Sequence, residues 1–166
     1  MAYYASKESK LAAIAAAFSP LVGKQLLRYQ NADLFIESEA EWSRWDDLPV
    51  RLYFGVDSCV SVSWWGFDEL WLTSDASVPP WLADFSGVRW VESGIVEVDA
   101  FIGKNLVGVD LGRGEMTIDG KDHEIWTRLL LDFGGCWLEI CNGLDENAYA
   151  AHDRHPTGDF AACVQQ

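Results

Sequence analysis

The chain has 166 residues, is 49% hydrophobic, and carries 26 acidic against 12 basic residues for a net charge of −14. The apolar content excludes a disordered chain, and the length suits one compact domain over residues 1–166 without disulfide or metal staples. The charge, with no basic cluster to offset it, argues against nucleic acid as a partner, and no stretch is long enough to span a membrane.

In chain order, Ser6 can cap a helix over 7–18 (KESKLAAIAAAF), which Ser19-Pro20 stops. Lys7 and Lys10 ahead of LAAIAAAF loosely resemble a signal peptide. Glu8 within the would-be basic region and the shortness of the apolar stretch favour a retained helix and a cytoplasmic protein. Residues 24–30 tilt toward strand by comparison with 105–111, whose sequence NLVGVDL alternates. Strands are expected over 33–37, 50–56, 59–65 and 69–73 from alternation and from β-branched or aromatic content. Pro79-Pro80 opens a helical turn through Phe85. Further strands are expected over 88–98 with a bulge at Gly94, then 115–118, 124–133 and 136–142. Past Asn147 the pattern decays into one helical turn and a flexible tail over 153–166.

Laid on itself, the chain reads as two copies. Residues 51–70 match residues 128–147 at a constant offset of 77, through Arg51/Arg128, Leu52/Leu129, Cys59/Cys136, Gly66/Gly143, Asp68/Asp145 and Glu69/Glu146. LVGKQL (21–26) matches FIGKNL (101–106) at an offset of 80, in the same order along the chain. The expected fold class is therefore α+β: mostly antiparallel sheet from two diverged tandem repeats, about 21–75 and 101–152, with an N-terminal helix. One conflict stands. Val60, Val62 and Trp64 share a strand face, whereas their counterparts are Trp137, Glu139 and Cys141, and Leu138 and Ile140 take the other face. Opposite buried faces or a bulge would reconcile them.

Few residues point to chemistry. Cys59, Cys136, Cys141 and Cys163 form no C-x-x-C pair, so free thiols are expected, with no metal and no cofactor. His152 and His155 have H-x-x-H spacing, but Pro156 disfavours the helix that would bring them together. No nucleophile elbow or phosphate loop occurs, and no enzyme is expected. The Asp68-Glu69 and Asp145-Glu146 pairs read first as turn residues and second as partner contacts; adjacent strand residues face opposite ways and cannot form a catalytic dyad. Trp64, Trp65, Phe67 and Trp71 crowd around Asp68 and Glu69, and Trp42 and Trp45 lie in the acidic stretch ESEAEWSRWDD. Indole beside carboxylate suits Arg and Lys, so the candidate partner-binding residues are Trp64, Trp65, Asp68, Glu69, Trp42, Trp45, Asp145 and Glu146. The alternative is that these indoles fill the core.

A compact, acidic, Trp-rich chain without catalytic motifs resembles the immunity proteins that neutralise bacterial polymorphic or contact-delivered toxins. CWLEICNGLDENAY (136–149) is similar to small bacterial domains found near such toxins. The resemblance implies a cytoplasmic inhibitor that occludes a cognate toxin, or another basic protein, by protein–protein contact. The alternative reading is a regulatory domain with a small molecule held between the two repeats.

Overall fold

A computed structural model describes residues 3–82 and 87–165. Helix α1 spans Lys7–Phe18, and the Ser6 hydroxyl accepts the Ser9 N–H at 3.1 Å, a cap worth about 1 kcal/mol. A 3-10 turn, Ser19–Leu21, follows through Pro20. Seven strands make the first sheet: β1 (Tyr3–Tyr4), β2 (Leu26–Ile36), β3 (Glu41–Arg44), β4 (Val50–Phe54), β5 (Cys59–Trp65), β6 (Glu69–Thr73) and β7 (Val88–Glu92). Their order is β1-β6-β5-β4-β2-β3, with β7 on β2 as well. The second sheet holds β8 (Gly108–Ile118), β9 (Lys121–Asp132), β10 (Trp137–Asn142), β11 (Asn147–His152) and β12 (Phe160–Gln165), in the order β11-β10-β9-β8-β12. Every strand pair is antiparallel, so the mostly antiparallel α+β class holds.

The two sheets share one core. Leu52, Phe54, Val62 and Trp64 from the first pack with Leu129, Leu131, Leu138 and Ile140 from the second, joined by Ile14 and Phe18 of α1. Each fully buried Leu, Val or Phe contributes about 1.5–3 kcal/mol. A smaller cluster of Ala32, Leu48 and Leu82 lies elsewhere and carries Trp45 and Trp90 on its margin.

Both halves run in one order: a helical turn, Gly-Lys, then four strands in a meander, β2-β4-β5-β6 and β8-β9-β10-β11. The two Gly-Lys segments pair with each other. Gly23 N–H donates to Leu106 O and Gly103 N–H to Leu26 O, around an antiparallel bridge between Gln25 and Asn105. Gly23 (φ 81°) and Gly103 (φ 86°) both lie in the left-handed region, which explains the shared glycine. Each lysine then reaches the hairpin tip after the second meander strand: Lys24 Nζ lies 3.0 Å from Ser58 Oγ, and Lys104 Nζ lies 3.2 Å from Cys136 Sγ.

These contacts revise the residue correspondence. Phe54 and Phe133 are both buried, both precede a positive-φ glycine, and both donate across the tip, to Ser58 O and Cys136 O. Leu52 pairs with Val60 and Leu131 with Leu138, so Arg51/Arg128, Leu52/Leu129 and Cys59/Cys136 are not structural equivalents. A shorter hairpin tip in the second half shifts the register between them. That shift removes the face conflict, since Val60 and Leu138 both enter the core.

Three expectations change. The expected strand over 88–98 ends at Glu92; Ser93 and Gly94 turn at positive φ, and a short helix α2 (Val96–Asp99) follows. Ile95, Val98 and Phe101 enter the core at helical spacing, and the Tyr29 hydroxyl accepts the Ile95 N–H at 2.7 Å. Residues 108–111 of the segment 105–111 and residues 115–118 belong to one strand, β8, kinked by a bulge between Gly112 and Arg113, while Asn105 makes only the isolated bridge to Gln25. The expected helical turn and flexible tail are β11 and β12; β12 covers the open edge of β8 from Gly108 to Gly112. Of the helical turn expected over 79–85, Pro80–Leu82 is a 3-10 turn, and 83–86 lie outside the described residues.

Candidate functional site

The expected site residues divide into structural and surface groups. Trp64 is 0% exposed, its indole N–H donating to Ile140 O at 3.0 Å, so the expectation that it faces a partner is corrected: it locks the two sheets together. Asp68 faces inward too. It takes the Lys10 ammonium and the Trp126 N–H, the latter at 3.2 Å. Lys10 is wholly buried, also donates to Trp126 O at 2.9 Å, and has its pKa lowered by burial against the opposing pull of Asp68. Removing either charge would strand the other, so Asp68 is a structural residue.

Trp42, Trp65, Glu69, Asp145 and Glu146 are exposed. On the β2–β3 hairpin, Trp42 (39% exposed) lies opposite Phe35 with ring centroids 5.3 Å apart. Arg89 lies 4.5 Å over the Trp42 ring and is held by Asp33 at 2.8 Å. Glu37, Glu39 and Glu41 are all exposed on the same hairpin. Trp45, at its base, is half-buried against the smaller cluster. Trp65 (41% exposed) stacks on Trp81 at 5.2 Å and pairs in register with Glu69.

The sequence G-x-D-E occurs at two turns, 66–69 and 143–146, and Asn147 joins the hairpin base to the second. Its N–H donates to Asp46 O at 2.8 Å, and its side-chain amide donates to Leu48 O and Val62 O, both at 3.2 Å. Its Oδ1 accepts the Trp64 N–H at 3.1 Å. Thus the Asp46 backbone, at the end of the acidic stretch, meets the residue that follows the Asp145-Glu146 pair. Burial raises the Asp46 pKa despite Arg44 beside it.

The two G-x-D-E turns also meet. Asn142 Nδ2 donates to Gly66 O at 2.8 Å and to Phe67 O at 3.3 Å, tying the β10–β11 turn to the β5–β6 turn. Between them opens a cleft of about 230 Å³ with Phe67, Met116, Ile125 and Leu144 among its walls. In its floor Arg128 donates to Glu139 at 2.5 and 3.2 Å, and His152 Nε2 lies 2.7 Å from the same carboxylate. Burial pushes the Glu139 pKa up, but the hydrogen bonds from Arg128 and His152 outweigh it and hold the carboxyl below its ordinary value. The two turns are not the same bend: Gly66 carries the positive φ in the first, Leu144 and Asp145 in the second.

The histidines do not converge. His155 lies between Trp137 and Phe160 with Nε2 3.3 Å from Asp110, whereas His152 serves Glu139. Among the described residues no group of three or more His, Cys, Asp or Glu side chains is placed to hold a metal. Burial raises the thiol pKa of Cys59 and Cys141, and that of Cys163 to about 12, which lowers the thiolate fraction available to react at neutral pH. No helix among the described residues is long and apolar enough to cross a membrane.

Sequence reasoning missed Lys10, Asn147, Phe35, and the meeting of Phe67 and Leu144 in one cleft. Only the last left a signal in the sequence, since Phe67 and Leu144 are both apolar at the variable position of G-x-D-E. Comparison with known proteins identifies no relative: no family model, curated protein or solved structure matches the chain.

Proposed function

We propose that this chain is a cytoplasmic, non-enzymatic immunity protein built from two diverged copies of one unit, which neutralises a basic cognate toxin through its acidic aromatic face. The observation that carries the reading is the Asn147 junction. It ties the base of the Trp42-bearing acidic hairpin, at Asp46 and Leu48, to the residue that follows the Asp145-Glu146 pair, linking two segments remote in sequence. The hairpin presents exposed Trp42 and Phe35 among Glu37, Glu39 and Glu41, the combination that grips arginine and lysine by cation–π and charge-assisted bonds. A net charge of −14 steers association with a basic surface.

The alternative of a small molecule between the copies is less favoured. The cleft where the two turns meet, about 230 Å³, is smaller than the ~300–1,000 Å³ of small-molecule sites. The test is co-expression with a toxic protein encoded beside the gene. Growth rescue and a stoichiometric complex are expected; a neighbour that is toxic but neither bound nor relieved contradicts the reading.

A further inference from the structure

We propose that the cleft between the two G-x-D-E turns is the socket for one basic side chain of the partner, and that Leu144 is held in left-handed backbone to form its wall. This deepens the proposed function and rests on a basic partner.

Gly143 N–H bonds to Glu146 O at 2.8 Å, and the two residues between them, Leu144 (φ 74°) and Asp145 (φ 72°), both have positive φ. Two successive positive φ values are what the centre of a type I′ turn requires, a place for which Asn-Gly is strongly preferred because a Cβ is disfavoured there. A leucine at the first central position is the wrong residue for the turn. Nor does it serve the core, since Leu144 is 75% exposed. Phe67, 63% exposed and at the matching sequence position of the other turn, lines the same cleft. A strained, exposed apolar residue that shares a cleft with an exposed aromatic one is what a binding contact requires and what folding alone would not select.

The walls suit an aliphatic stem, and the charge at the mouth selects its head group. Arg128 in the floor is neutralised by Glu139, which leaves exposed Glu115 as the charge at the rim. An arginine or lysine can lay its methylenes along Phe67, Met116 and Leu144 and bring its cation to Glu115. The volume fits one side chain, as an interface anchor requires.

The test uses the full-length protein, with acetyl-arginine methylamide as probe and acetyl-norleucine methylamide as its uncharged counterpart. In amide NMR titrations the arginine probe should shift Phe67, Met116 and Leu144 saturably and bind about tenfold tighter than the norleucine probe. Leu144→Asn should weaken that binding about tenfold while raising Tm by about 2 °C or more, since asparagine tolerates the turn. Phe67→Ala, outside the strained positions, should weaken binding to a similar degree with Tm little changed. Non-saturating shifts, equal binding of both probes, full binding by either variant, or a lower Tm for Leu144→Asn would overturn the proposal. The probes contain no toxin, so the socket stands or falls apart from the inhibitor reading. A toxin complex that forms at full affinity with both variants removes the socket alone.

Discussion

Lys10 on α1 and Asp68 in the β5–β6 turn form an ion pair in which the lysine is wholly buried, with Trp126 of the second sheet bonded to both partners. Helix, first sheet and second sheet thus meet at one charge. Asp68→Asn should cost about 2–3 kcal/mol, because it leaves a buried ammonium without its counter-ion. Lys10→Met with Asp68→Asn should cost less than Asp68→Asn alone. Urea unfolding of the double-mutant cycle measures both.

Trp64 and Trp42 should behave oppositely. Trp64→Phe removes the bond to Ile140 O and leaves a void in the shared core, which should cost about 2–3 kcal/mol. Trp42→Ala, on an exposed hairpin, should change stability by less than about 1 kcal/mol. Thermal unfolding of the two variants side by side distinguishes them.

Asn147→Ala should be among the most damaging polar substitutions. It strands the Trp64 N–H and two backbone carbonyls in the interior, at a cost of about 2–4 kcal/mol. Hydrogen exchange should report faster opening at Leu48, Trp64 and the β10–β11 turn.

Glu139 gives the fold an acid-sensitive contact. Its carboxyl titrates below the ordinary value of 4.5, so the unfolded chain binds more protons than the folded one between the two values. The stability it contributes is present above about pH 4.5 and is lost as pH falls through the lower folded value. Glu139→Gln should therefore flatten the decline of the urea midpoint between about pH 5 and pH 3 relative to the parent protein, and should lower stability at pH 7 by about 2 kcal/mol.

Much of the fold was legible in local chemistry. The Ser6 cap and Ser19-Pro20 place α1 over Lys7–Phe18, and alternation places β5 and β6 at their observed bounds. Local chemistry failed where a distant partner decides. Val96–Asp99 alternates like a strand, but the Tyr29 hydroxyl and the core spacing of Ile95 and Val98 make it helical. Phe160–Gln165 has weak strand content and forms β12 because the β8 edge needs covering. Identity matching put Arg51 against Arg128, since a shift in tip length is invisible without the ladder. At the site, exposure of Trp42 and burial of Trp64 could not be told apart, because the residues that bury Trp64 lie in the other sheet.

The measurement that bears most directly on the proposed face is calorimetric titration of the neighbouring toxin with the double variant Trp42→Ala/Glu39→Lys. Affinity about a hundredfold weaker than that of the parent, with Tm unchanged, is the result expected of a binding face separate from the core. Parent-like affinity would mean that the partner, if bound at all, sits elsewhere on the molecule.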